Sequence, residues 1–132
     1  MHRILAAAVI AAAAAPIALL GTAGAANAQG HSHISSVEPN GYNLILGTRA
    51  NDTLFGTHGN DAMFGRKGDD RLITRGGDDV LFGNQGNDTL IDNGINFGPF
   101  VSHVVFHGGI GNDICIGTDE DTYLNCETVI IL

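Results

Sequence analysis

Gly65-Arg-Lys-Gly-Asp-Asp-Arg-Leu-Ile73, Thr74-Arg-Gly-Gly-Asp-Asp-Val-Leu-Phe82 and Gly83-Asn-Gln-Gly-Asn-Asp-Thr-Leu-Ile91 follow one another without a gap, three nine-residue units in one register. Two more precede them: Gly47-Thr-Arg-Ala-Asn-Asp-Thr-Leu-Phe55 and Gly56-Thr-His-Gly-Asn-Asp-Ala-Met-Phe64. The sixth place is Asp52, Asp61, Asp70, Asp79 and Asp88, and the eighth is always Leu or Met. A short period held over five units is the mark of a solenoid whose repeats stack on one another.

Elementary stereochemistry turns this spacing into a fold. Glycine at the first and fourth places lets the backbone enter left-handed conformations that a Cβ would disfavour. The three residues after each Asp run extended, with the eighth side chain on one face and the seventh and ninth on the other. Two units make one flattened coil, turn-strand-turn-strand, so each turn lies over the turn two units later. Successive coils are about 4.8 Å apart in the hydrogen-bonding direction. That spacing gathers Asp52, Asp70 and Asp88 into one column and Asp61 and Asp79 into another. Bare carboxylates so placed repel, whereas a cation between them makes them ligands. Calcium suits the arrangement, because it accepts about six to eight hard oxygens, backbone carbonyls among them, in a flexible geometry.

The pattern resembles the repeats-in-toxin (hemolysin-type) calcium-binding family. That resemblance implies an all-β, right-handed parallel β-roll and Ca²⁺ as the bound ion. It also implies that the sixth-place Asp binds together with carbonyls of its own and the facing turn. The metal ligands expected on this basis are Asp52, Asp61, Asp70, Asp79, Asp88 and Asp113. Gly59, Asn60, Gly68, Asp69, Gly77, Asp78, Gly86, Asn87 and Gly111 are the supporting turn residues. An isolated Gly-Asn-Asp would be an ordinary β-turn; five in phase, each with an apolar residue two places on, point to calcium.

Several places depart from the motif. The second is Thr, Thr, Arg, Arg and Asn in the five units, never Gly. Ala50 stands at the fourth place of the first unit and Thr74 at the first place of the fourth, which sets those two turns apart. Upstream, Gly41-Tyr-Asn-Leu-Ile-Leu46 reads as a degenerate unit with Asn43 in the Asp place. Residues 92–107 break the period as an insertion carrying Ile95, Phe97, Phe100, Val101, Val104, Val105 and Phe106. Its length is not that of a whole coil, so Asp113 is expected to face a different partner from the one an unbroken array would supply. The motif then returns in its fullest form, Gly108-Gly-Ile-Gly-Asn-Asp-Ile-Cys-Ile116, and a shortened unit, Gly117-Thr-Asp-Glu-Asp-Thr-Tyr-Leu124, brings Asp121 near a ligand place.

Ile45, Leu54, Met63, Leu72, Leu81, Leu90 and Cys115 form the expected inward column, a thin core at about 1.5–3 kcal/mol per buried side chain. By strand alternation, Phe55, Phe64, Ile73, Phe82 and Ile91 make an outer apolar row. Two readings of that row remain open. Either the insertion or the Tyr42–Leu46 strand covers it, or it is a contact surface for a cell-surface protein or polysaccharide.

Residues 1–28 read as a signal peptide: Arg3, an Ala-rich apolar run over 4–20, and small residues at Ala26-Asn-Ala28 before Gln29. Pro16 and Gly21 interrupt the run and argue against a retained span, so no stable membrane insertion is expected after cleavage. Family members usually rely on a C-terminal export signal, and an N-terminal one points instead to the general secretory route. Residues 29–40 are expected to be a flexible lead-in and 41–132 the calcium-binding domain. Gln29-Gly30-His31 would form an amino-terminal copper or nickel chelate if cleavage falls there, and otherwise a solvated tail.

The chain carries 14 acidic and 6 basic residues, a formal charge of −8 that becomes −9 without Arg3. Nucleic acid and anionic membranes are poor partners for such a chain. Carboxylate repulsion and the chain entropy of 19 glycines should leave the metal-free array unfolded, so that ion binding becomes folding free energy. Cys115 and Cys126, in an exported chain, are expected to form a disulfide that closes a C-terminal cap; a redox or metal pair is the other reading, without Cys-x-x-Cys spacing to favour it. The tail Asp121-Thr-Tyr-Leu-Asn-Cys126-Glu resembles that of secreted bacterial proteins with these repeats. Neither a His-Glu-x-x-His motif nor a nucleophile elbow occurs, so no enzyme is expected. The expected protein is secreted, with a structural or surface role; a calcium-dependent adhesion or accessory module is the alternative reading, and a hydrolytic or cytolytic factor a weaker one.

Overall fold

A computed structural model describes residues 33–37, 41–94 and 102–132. The signal segment 1–28, Gln29-Gly30-His31 and the insertion's Ile95, Phe97, Phe100 and Val101 lie outside these residues. The described residues form eleven strands: β1 (His33–Val37), β2 (Asn43–Leu46), β3 (Thr53–Phe55), β4 (Asp61–Lys67), β5 (Arg71–Ile73), β6 (Asp79–Gln85), β7 (Thr89–Ile91), β8 (Val104–Ile110), β9 (Ile114–Gly117), β10 (Thr122–Leu124) and β11 (Thr128–Ile131). They alternate between two sheets, ordered β1-β2-β4-β6-β8-β10 and β11-β9-β7-β5-β3. Every pairing is parallel except β1 with β2. This is the all-β parallel roll that the nine-residue period predicts.

The register follows the repeat. Ile45 pairs with Met63 and Met63 with Leu81 in one sheet; Leu54 pairs with Leu72 and Leu72 with Leu90 in the other. All these side chains, with Cys115, are buried in one cluster between the sheets. Phe106 and Val104 join them. At the C-terminal end Tyr123 lies flat on Phe106, ring centres 5.1 Å apart. The Cys115–Cys126 disulfide closes beside it, as expected.

Two stretches outside the central array carry strands that the nine-residue period does not mark. The 29–40 segment, read as a flexible lead-in, contains β1, whose antiparallel pairing satisfies the otherwise open edge of β2. The 92–107 stretch, read as an insertion, ends in a regular part of the roll. Asp79 aligns with Val104, Leu81 with Phe106 and Phe82 with His107. Residues 104–107 therefore fill places six to nine of an expanded repeat whose Asp has become Val. Because that repeat completes its half-coil, Asp113 lies over Asp88, the partner an unbroken array would supply.

The outer faces of the two sheets differ. Leu44, Ala62 and Val80, at seventh places expected to be outside, are buried, whereas Arg71 and Ile114 at the same place of the other sheet are exposed. The ninth-place row splits between the sheets. Phe64 and Phe82 stack face to face at 4.8 Å, and Phe82 meets the His107 ring at 5.6 Å. Arg75 lies over the exposed Phe55 ring.

Candidate metal centre: two columns of stacked aspartates

The turns carry a reciprocal ladder. At the sixth place, the N–H of Asp52 donates to Asp70 Oδ1, Asp70 to Asp88, and Asp88 to Asp113, each at 2.8 Å. Asp113 in turn donates to Glu127 Oε2 at 2.8 Å. In the second column Asn43 Nδ2 donates to Asp61 and the N–H of Asp61 to Asp79. The next rung has no Asp: Asp79 N–H donates to the carbonyl of His103, and Val104 N–H to Asp121. Fifth-place side chains point the other way along the stack. Asn51 accepts from the N–H of Asp69, Asn60 from Asp78, Asp69 from Asn87 and Asn87 from Asn112.

Stacking also explains the fourth-place glycines. Gly68, Gly77, Gly86 and Gly111 all have positive φ. A Cβ on Gly77 would meet the Gly59 carbonyl carbon at 2.6 Å, and one on Gly86 would land on the Gly68 carbonyl. Only a bare backbone lets the turns approach this closely. Gly59 differs, with no positive φ and only ordinary contacts for an added Cβ.

The expected ligands Asp52, Asp61, Asp70, Asp79, Asp88 and Asp113 are all buried. Four of them are left incomplete: Oδ2 of Asp70, Asp79, Asp88 and Asp113 is buried without a hydrogen-bond partner. An unsatisfied buried carboxylate oxygen is costly, and its acid responds by holding a proton. Burial pushes Asp70 up to about 7 against the N–H bond from Asp52, with the charges of Asp88, Asp52 and Asp69 adding to the rise. Burial likewise lifts Asp79 to about 8 and Asp88 to about 6. Asp113 is raised by burial and by the neighbouring Glu127 charge.

Buried oxygens without a donor, spaced along a stack of bare turns, form a donor set that fits a hard divalent cation. Among the described residues no three His, Cys, Asp or Glu side chains converge on one point. A coordination shell must therefore draw on backbone carbonyls, as an oxygen-seeking ion in a glycine-rich turn does.

The family model for the RTX calcium-binding nonapeptide repeat, in four copies, matches residues 40–72, 55–90 and 103–124, more than half of the chain. The chain belongs to the repeats-in-toxin calcium-binding family. Searches of curated proteins and of solved structures gave no match. Repeats of this family bind Ca²⁺, and the roll is a calcium-binding structural module. Among the described residues, no helix is long and apolar enough to cross a membrane.

The repeat pattern missed some participants in the repeats-in-toxin ladder. Glu127 takes the Asp place over Asp113, signalled only by the Thr128-Val129-Ile130 strand that follows it. Thr74, the irregular first-place residue, is fully buried and donates its hydroxyl to Asp92 at 2.9 Å. Asp92 is raised by burial, which outweighs its bonds from Gly94 and Thr74.

Proposed function

We propose that this protein is a secreted calcium-folded module in which Asp70, Asp79, Asp88 and Asp113 hold the ions together with carbonyls of the stacked turns. The single observation carrying this reading is the set of buried carboxylate oxygens without a donor, one on each of these residues. When bound, calcium would supply the positive charge that neutralises these carboxylates, and it would accept their oxygens and the turn carbonyls as hard ligands.

The chain's own residues do the rest. Asp70, Asp79, Asp88 and Asp113 each spend Oδ1 on the preceding coil and keep Oδ2 for the ion, so ligation and coil stacking use the same side chain. The left-handed glycines bring turn on turn. Fifth-place Asn and Asp side chains fix the spacing by taking N–H bonds from the next coil. Leu72, Leu81 and Leu90 supply the apolar contact that the ordered stack then buries.

Export as an unfolded chain followed by folding in calcium-rich surroundings is supported by the leader-like residues 1–28 and by the formal charge of −8. Extracellular calcium modules bind at about 10⁻⁴–10⁻³ M. The role is structural or at a surface. A ligand surface built on the outer Phe row is less well supported, because Phe64 and Phe82 turn their ring faces to each other. Far-ultraviolet circular dichroism at about pH 8 tests the reading: the β-signal should appear with calcium and vanish with chelator, and identical spectra would overturn it.

A further inference from the structure

The turns fall into two classes that the nine-residue period does not distinguish. In the first class, a second-place threonine closes the turn on its own aspartate. Thr48 donates its N–H and hydroxyl to Asp52 Oδ2 at 2.5 and 2.8 Å. Thr57 does the same to Asp61 Oδ2 at 2.6 and 3.2 Å, and Thr118 to Asp121 Oδ2 at 2.7 and 3.2 Å. In the second class the second place is Arg66, Arg75, Asn84 or Gly109, and the Oδ2 of Asp70, Asp79, Asp88 or Asp113 has no partner.

Backbone conformation divides the turns in the same way. Left-handed residues occur in every turn with an unpartnered oxygen: Arg66 and Gly68, Gly76 and Gly77, Asn84 and Gly86, Gly109 and Gly111. None occurs in the threonine-closed turns at 47–52, 56–61 and 117–121. Ala50, a side chain at the fourth place where glycine otherwise stands, falls in a closed turn, where no left-handed residue is required. The closed turns lie at the two ends of the roll and the open ones between them.

We propose that Thr48, Thr57 and Thr118 stand in for calcium, closing the end turns with protein donors so that only the four middle turns take an ion. This rests on the calcium reading above and divides its sites. A threonine N–H and O–H at the second place meet the same carboxylate oxygen that an ion would otherwise satisfy. Turns at or next to the ends of the roll have fewer glycine turns stacked on them to complete an oxygen shell, and Asn43, not a carboxylate, lies over the Thr57–Asp61 turn. A turn that is closed without an ion suits that position.

The test is a count of calcium bound per chain, by equilibrium dialysis against calcium chloride with metal quantification, on the full chain and single variants. Circular dichroism in calcium checks that each variant folds. The unaltered chain should bind four ions, one for each unpartnered oxygen. Asp88→Asn should lower the count, while Asp61→Asn and Asp121→Asn leave it unchanged. Thr57→Gly, which removes the hydroxyl and gives the turn the second-place glycine seen at Gly109, should add one ion. If Asp61→Asn lowers the count as Asp88→Asn does, or Thr57→Gly adds nothing, the division of turns is overturned while calcium binding stands. A chain that binds no calcium overturns the calcium reading and this proposal together.

Discussion

The backbone N–H of Asp70 donates to the carboxylate of Asp88, 18 residues on, at 2.8 Å. In Asp70, Asp79, Asp88 and Asp113 one oxygen is thus committed to the neighbouring coil, and the other is buried without a partner. The same residue that repels its neighbours when ionised also ties them together, so stability depends on what neutralises it.

Proton and calcium are the two candidates, and they give opposite pH profiles. Asp70, Asp79 and Asp88 rise from an ordinary 3.8 to about 7, 8 and 6 in the metal-free fold. A carboxyl with a raised folded pKa binds its proton more tightly when folded. Its stabilising contribution is full below about pH 4 and is lost as the pH climbs through the folded values. With chelator, the β-signal should be strongest near pH 4 and fade by pH 8; with calcium it should persist at pH 8. A chelated protein that gains β-signal as the pH rises would contradict this.

Arg66 and Asn84 sit at φ 86° and 78°, where the equivalent residue of the fullest repeat is Gly109. A left-handed conformation costs a side-chain-bearing residue about 1–2 kcal/mol, partly offset by the chain entropy that glycine loses on folding. Arg66→Gly should therefore stabilise the calcium-loaded protein by about 0.5–1 kcal/mol, and Asn84→Gly by less. Urea midpoints in calcium measure both. A lower midpoint for Arg66→Gly would show that the arginine side chain contributes more than its backbone costs.

Leu81 lies at the middle of the inward column, fully buried between Met63 and Phe106. Leu81→Ala should cost about 2–5 kcal/mol, the usual range for a buried leucine. Arg71→Ala, on an exposed outer place next to Leu72, should change stability by no more than about 0.5 kcal/mol. Equal losses from the two in denaturant melts would mean that the sheets do not alternate as described.

Reducing the Cys115–Cys126 bond should destabilise the calcium-loaded roll by about 2–3 kcal/mol on the chain-entropy account. The loss should appear first at β10 and β11, the end strands flanking Cys126, as faster amide exchange. Unchanged exchange there after reduction would deny the bond its capping role.

The central array was legible because place six and place eight face different demands that one period satisfies together. Asp52 to Asp88 and Leu54 to Leu90 could be assigned before any coordinates. The expanded repeat at 92–107 was not, since Val104 replaces the aspartate that marks a turn and extra residues separate it from Asp92. Glu127 escaped for a similar reason: its carboxylate reaches the same backbone N–H through a longer stem. Burial of Leu44, Ala62 and Val80 could not be read from alternation, which gives a face and not what covers it. The split between closed and open turns lay in the second place all along. Thr48 and Thr57 carry a short hydroxyl where Arg66 and Asn84 carry longer polar groups, and its target became visible once Oδ2 had a position.

Anomalous diffraction from crystals grown in calcium is the most direct measurement. Calcium peaks about 2.3–2.6 Å from the carboxylates of Asp70, Asp79, Asp88 and Asp113, with turn carbonyls completing the shell, are the expected result. A well-ordered roll with no anomalous peak beside those four side chains would contradict the account.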